Sequence, residues 1–222
     1  VGKIITVQDL RNDPMVKTMI SKGNEYLGAI GFTDHGQMHV SLVSNLSYDI
    51  LNQLGAPERE AELAAIAGYL HDLGNVINRN GHSQTGALLA MTILKRLSMP
   101  AEEIAIVAAA IGNHDEGSGT SVNRVAAALI LADKAHVHRS RVRNRDISTF
   151  DIHDRVNYAA NESILKVDGE AKTITMELSI DTEICPVMEY FEIFLSRMIM
   201  CRRAASVLGC KFELLINGAK LI

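Results

Sequence analysis

One predicted helix after another in this chain ends its apolar stripe on a histidine or an aspartate. In "AGYLHDLGN", residues 67–75, a helix with Leu63, Ile66, Ala67 and Leu70 facing inward closes on His71 and Asp72. His39 stands four residues before Val43 and seven before Leu46, so it heads the stripe of Val43, Leu46, Ile50 and Leu54. His82 stands four before Gly86 and seven before Leu89, again on the inward face. His114 follows Ile111 by three and Val107 by seven, and Asp133 follows Leu129 by four and Ala126 by seven. A bundle built on these stripes brings all six side chains to the ends of its core-facing surfaces.

Polar groups in such places are costly unless they are paired or bound to a metal. Nitrogen and oxygen donors without thiolate suit Fe, Mn, Ni, Co, Zn or Mg. Four His and two Asp are enough for two divalent ions, with Asp72 free to bridge them. Such a site activates water and clamps a phosphoryl group. The bland reading of each residue alone is different: His114 as a helix-dipole partner, His82 as a loop histidine, Asp133 as a buried acceptor. The order and spacing of all six favour the ligand reading.

The rest of the composition narrows the field. With 222 residues, 47% of them hydrophobic, the chain can build one substantial core and a small second lobe. A net charge of −4 argues against a long nucleic acid as partner. The apolar runs are interrupted and short of the ~18 residues of a membrane span. No signal-peptide pattern opens the chain, and Val1 in place of Met reads as a trimmed terminus. Cys185, Cys201 and Cys210 form no CxxC pair and read as reduced thiols of a cytoplasmic protein.

Helical periodicity runs to about residue 160. Helices are expected over Pro14–Leu27, from near His39 to "LGAP", over Glu58–Leu70, after "RNGHSQ", from Pro100-Ala101 and from about Val122 into "LADKAHVH". Beyond Asn161 the pattern changes. "SILKVDGEAKTITMELSI" reads as a hairpin turning at Asp168-Gly169, Thr182–Leu208 as a long helix, and "CKFELLINGAKLI" as a second hairpin turning at Asn217-Gly218. The expectation is a mainly α protein. Residues 1–160 would form a helical metal-binding domain, and residues 161–222 a small α+β subdomain packed on it, with two short hairpins and one long helix.

The sequence of a His, an adjacent His-Asp and a distant Asp, filled by His39, His71, Asp72 and Asp133, resembles the HD superfamily of metal-dependent phosphohydrolases. His82 and His114 stand where dinuclear members carry two further His. "HSQTG", "NHDEGSG" and "ADKAHVHRSR" are partly similar to the HD-GYP branch, although Asn113 replaces the first His of its pair and Gly-Tyr-Pro is missing. "GNHDE" is also similar to the diiron inositol oxygenases. The resemblance spans about residues 30 to 145 and implies a helical-bundle core around a metal centre. One departure is plain: the family often reads HDxGK, and here "HDLGN" puts Asn75 in place of the Lys.

The resemblance implies hydrolysis of a phosphoester or phosphoanhydride of a nucleotide or other small phosphorylated molecule, by a hydroxide activated between two metals. His39, His71, Asp72 and Asp133 would hold one ion, and Asp72, His82 and His114 the other. Asp72 and Asp115 are the catalytic candidates, Asp115 as orienter or proton shuttle, or else as a solvated helix-end acid. Lys134, Arg141 and Arg79 are candidates for phosphate contacts, since Arg offers forked donors. His35 reads either as a ligand for an extra metal or phosphate, or as a solvent-facing residue after an N-cap. Two alternatives stay open, a non-hydrolytic nucleotide-binding module and a diiron oxygenase. Homodimer formation stays open too, because the hairpins leave sheet edges.

Overall fold

The computed structural model describes residues 4–222, so the reading of Val1 as a trimmed terminus lies outside the described residues. The chain begins with α1 (Val7–Asn12), α2 (Pro14–Ala29), α3 (Gln37–Gln53) and α4 (Glu58–Leu70). A 3-10 turn over Leu73–Val76 leads to α5 (His82–Arg96), α6 (Ala101–Gly112), α7 (Arg124–Lys134) and α8 (Ile152–Ala159). Strands β1 (Ala160–Asp168) and β2 (Thr173–Ile180), helix α9 (Val187–Val207) and strands β3 (Lys211–Ile216) and β4 (Ala219–Lys220) complete it.

Helices α4 and α7 form the centre. Both are apolar on all sides: every residue from Leu63 to Leu70 and from Val125 to Ala132 is buried, as expected of helices surrounded by others. Their Ala and Gly content lets neighbours approach closely. A Cβ added to Gly68 would lie 2.8 Å from Ser44 Cα of α3, and Ser44 Oγ donates to the Ala65 carbonyl at 2.9 Å. Helices α3 and α6 each pack on both of them, and α5 packs on α6 and on the 3-10 turn, so the ends that carry His and Asp lie together.

The two hairpins join into one sheet of order β1-β2-β3-β4. β1 and β2 pair antiparallel, β2 and β3 pair parallel, and α9 is the crossover that a parallel pair requires. At the second turn Asn217 and Gly218 both take positive φ, 50° and 79°, as a tight hairpin demands. The buried faces Ile174, Met176 and Leu178 of β2 and Phe212, Leu214 and Ile216 of β3 lie in the core with α9. The same helix packs on α7, so the C-terminal segment lies against the helix that carries Asp133. Among the described residues no helix is long and apolar enough to cross a membrane.

Candidate metal centre

Each element end delivers one donor. His39 sits on the first turn of α3, His71 caps the C-terminus of α4, and Asp72 opens the 3-10 turn. His82 is the first residue of α5, His114 follows α6, and Asp133 is on the last turn of α7. His39, His71, His82 and His114 are 3% exposed or less, and Asp72 is 7% exposed.

These side chains converge. His39 Nε2 lies 3.2 Å from His71 Nε2 and 3.4 Å from both Asp72 Oδ2 and Asp133 Oδ1. His71 Nε2 is 3.2 Å from Asp72 Oδ2 and 3.7 Å from Asp133 Oδ1. On the other side of Asp72, its Oδ1 is 3.6 Å from His82 Nε2, which is 3.1 Å from His114 Nε2. The donors form overlapping trios, His39–His71–Asp72, His71–His114–Asp133 and Asp72–His82–His114, with all ligand atoms of a trio within 4.8 Å of one another.

The proton positions follow from the partners. His71 Nδ1 is 2.8 Å from the Gly68 carbonyl, His82 Nδ1 is 3.0 Å from that of Arg79, and His114 Nδ1 is 2.6 Å from that of Ile111. A carbonyl only accepts, so each Nδ1 carries a proton; the neutral rings of His82 and His114 then turn an Nε2 lone pair inward, as does His71 whenever its ring is neutral. His82 and His114 thus face each other lone pair to lone pair. Burial, first among the causes, lowers the pKa of His82 and takes that of His114 to about 3, so a proton does not relieve the clash near neutral pH. A cation would.

The acids carry the complementary signal. Asp72 Oδ2 is fully buried and accepts no well-aligned hydrogen bond. Burial works to raise the carboxyl pKa of Asp72 and of Asp133, yet both end well below the usual range, Asp72 chiefly through His71 and His39 and Asp133 chiefly through Lys134 and His39. His71 is the mirror image: burial pulls it down, but Asp72 and Asp133 outweigh that and its pKa rises. Inward lone pairs beside a buried carboxylate oxygen without a donor are what a divalent cation fits.

The HD domain model matches residues 37–155, more than half of the chain. The chain belongs to the HD domain family. Uncharacterized protein MJ1020 of Methanocaldococcus jannaschii is 27% identical over 199 residues, with 79% of this chain and 76% of the relative covered. The crystal structure of a predicted HD superfamily hydrolase from an uncultured Thermotogales bacterium is 20% identical. It matches 60% of this chain and 75% of its own with a TM-score of 0.43.

The other candidates of the HD domain fall into two groups. His35, Arg79, Lys134 and Arg141 all line the polar cleft over the donors. Lys134 is buried and already engaged, 2.7 Å from Asp133 Oδ2 and 3.3 Å from Glu116 Oε1. Arg141 donates from Nε to the Asp34 carbonyl and from Nη1 to that of His136. His35 stacks edge-on to His39 at 5.5 Å, belongs to no ligand trio, and donates from Nδ1 to the Thr33 carbonyl. Asp115 is the outlier: it is absent from the cleft wall, and its charge reaches His82 only through space.

Four further residues support the centre, and only Asn75 among them stands out in the linear sequence, as the replacement in "HDLGN". His136 Nδ1 lies 2.8 Å from His39 Nδ1, with the rings stacked at 13°, and burial together with Arg141 takes its pKa to about 2. A neutral His136 accepts from His39 Nδ1 and so turns His39 Nε2 toward the acids. Asn75 donates from Nδ2 to Asp72 Oδ1 at 2.8 Å and accepts from Arg79 Nη1 at 3.3 Å. Arg197 lines the cleft, and behind it Glu116 Oε1 lies 2.5 Å from its Nε. The "HVHRS" context of His136 reads as a basic rim, and Arg197 sits in a helix that reads as core.

Proposed function

We propose that this HD protein is a divalent-metal-dependent phosphohydrolase acting on a small phosphorylated molecule, with a nucleotide as the best fit. The observation that carries the reading is the pair of donor sets that share Asp72 and open into a cavity lined by arginines. His39, His71, Asp72 and Asp133 would hold one ion, and Asp72, His82 and His114 the other. When bound, two such ions neutralise phosphoryl oxygens and lower the pKa of water for attack on phosphorus.

The chain's own groups do the rest. Asn75 fixes one oxygen of Asp72 and leaves Oδ2 to face His39 and His71. Arg79 and Arg141 line both the metal cleft and an adjoining cavity of about 320 Å³, where they would orient a phosphate. That volume is at the small end of the range for organic ligands, and Phe32 and Phe194 on its wall suit a flat ring. Asn75 stands where the family often has Lys, a departure that by itself suits a binding module without hydrolytic activity. Its grip on both Asp72 and Arg79 favours an occupied catalytic position instead. Reduced thiols fit a cytoplasmic setting: Cys185, Cys201 and Cys210 are all free and buried.

Metal analysis of protein purified without chelator, followed by phosphate release from mononucleotides and other phosphoesters with Mn, Ni or Mg, tests the proposal. Release that needs metal and disappears in Asp72→Asn supports it. A metal-loaded chain that cleaves no phosphoester or phosphoanhydride sinks it, and oxygen-dependent turnover by bound iron would point to the oxygenase alternative.

A further inference from the structure

We infer that Arg197, delivered by helix α9 of the C-terminal segment, is an anion-binding residue of the cleft, and that with Arg79 and Arg141 it selects a phosphomonoester over a phosphodiester. This inference rests on the phosphohydrolase reading for its substrate and adds the class of ester. Arg197 lies on the wall of both the metal cleft and the adjoining cavity. Its position is fixed at two points. Nε is 2.5 Å from Glu116 Oε1, and the guanidinium lies 4.2 Å from the centre of the Phe194 ring. Glu116 is itself held by Lys134, the neighbour of Asp133, so the arginine is tied to the metal-bearing helix.

Beyond these contacts, Nη1 and Nη2 of Arg197 make no hydrogen bond to any described residue. Arg79 and Arg141 are in the same state: each engages its neighbours through other nitrogens and leaves Nη2 unpaired. Three guanidinium groups crowd one cleft, and the crowding has a cost. The pKa of Arg141 is brought down to about 10, first by burial, with Arg197 among the contributors. An anion with enough oxygens would relieve that repulsion. A phosphomonoester has three terminal oxygens and close to two negative charges. A diester has two terminal oxygens and one charge, so a third fork would have nothing to hold.

Calorimetric titration of the full, metal-loaded chain with inorganic phosphate and with dimethyl phosphate tests this. The wild type is expected to bind phosphate at least about tenfold more tightly than dimethyl phosphate. Arg197→Met is expected to lose roughly ten- to hundredfold for phosphate, the usual scale for a charged hydrogen-bonding pair, and little for dimethyl phosphate. Arg203→Met, at an exposed position of the same helix, is expected to bind both as the wild type does. A folded Arg197→Met chain, checked by its melting curve, that binds phosphate within threefold of wild type overturns the inference. Should that variant fail to fold, Arg197→Lys decides, because it keeps the charge and loses the fork: weaker phosphate binding supports the assignment and unchanged binding overturns it. An Arg197-dependent phosphate site on a chain that hydrolyses nothing would uphold this inference and sink only the hydrolase reading.

Discussion

At the residue scale the centre turns on Asp72, whose two oxygens face different donor sets. Asn75 decides which oxygen goes where, because its amide occupies Oδ1 at 2.8 Å and leaves Oδ2 to His39 and His71. Asn75→Ala is expected to weaken metal binding by roughly ten- to hundredfold, the usual effect of removing a partner that orients a ligand. Titration of the apo chain with Mn or Zn reads this directly, and unchanged affinity would show that Asn75 does not orient Asp72. The histidines also set an acid limit. His114 at about 3 and His136 at about 2 lie below the ordinary value of 6.5. Their folded pKa values are depressed, so their contribution is complete above pH 6.5 and is lost as pH falls below it, because only the unfolded chain takes up the protons. His71, whose pKa is raised, acts in the opposite sense, but only above 6.5. Urea unfolding of the metal-free chain should show stability falling from pH 6.5 to 5, by up to about 1.4 kcal/mol per pH unit for each imidazole. A flat profile would mean that these rings are not buried neutral.

At the element scale, His39, His82 and His114 are legible because each lies at the end of the buried stripe of a two-faced helix, and His71, Asp72 and Asp133 because each follows a wholly apolar run. Periodicity gives the face of a helix, and the face gives the direction of its end. Helix α4, expected over Glu58–Leu70, has those bounds in the structure. Short elements gave no such signal. α1 has six residues with only Leu10 buried, and α8 follows a stretch of isolated 3-10 turns. Hairpin turns are local and were legible at Asp168-Gly169 and Asn217-Gly218. The parallel pairing of β2 with β3 depends on a crossover helix and has no local mark. Arg197 was hidden for the same reason, since its meaning depends on α9 packing against α7. Gly74 shows what the "HDLGN" turn is for. A Cβ there would lie 2.0 Å from the His82 carbonyl and 2.7 Å from the Gly86 amide, so glycine lets the turn rest directly on the first turn of α5. Gly74→Ala is expected to push His82 away from Asp72 and to cost the ion held by Asp72, His82 and His114, while the His39–His71–Asp133 side keeps its own. Metal-to-protein ratios before and after the substitution check this, and an unchanged ratio would refute it.

At the scale of the whole molecule, the bundle is closed by groups that oppose one another until a cation joins them. His82 and His114 present lone pairs across 3.1 Å, and Asp72 keeps a buried oxygen without a donor. These conflicts belong to the folded chain alone, since the unfolded chain exposes the same groups to water. Ions held by the folded form at the two donor sets would therefore link the ends of α3, α4 and α7 and, through Asp72, those of α5 and α6, and stabilise them together. Ligand linkage gives about 2.7 kcal/mol when free metal is a hundred times its dissociation constant. In a chain of this size each kcal/mol moves the melting temperature by roughly 2–4 °C. Loading a chelator-treated sample with Mn, Ni or Zn should thus raise its melting temperature by roughly 5–10 °C. Asp72→Asn should remove most of that increment, because it takes away the charge common to both donor sets, while Arg203→Met at an exposed site should keep it whole. Equal melting temperatures for loaded and stripped wild type would mean that the converging His and Asp side chains hold no ion in the native state, and the metal-dependent chemistry proposed for them would have no foundation.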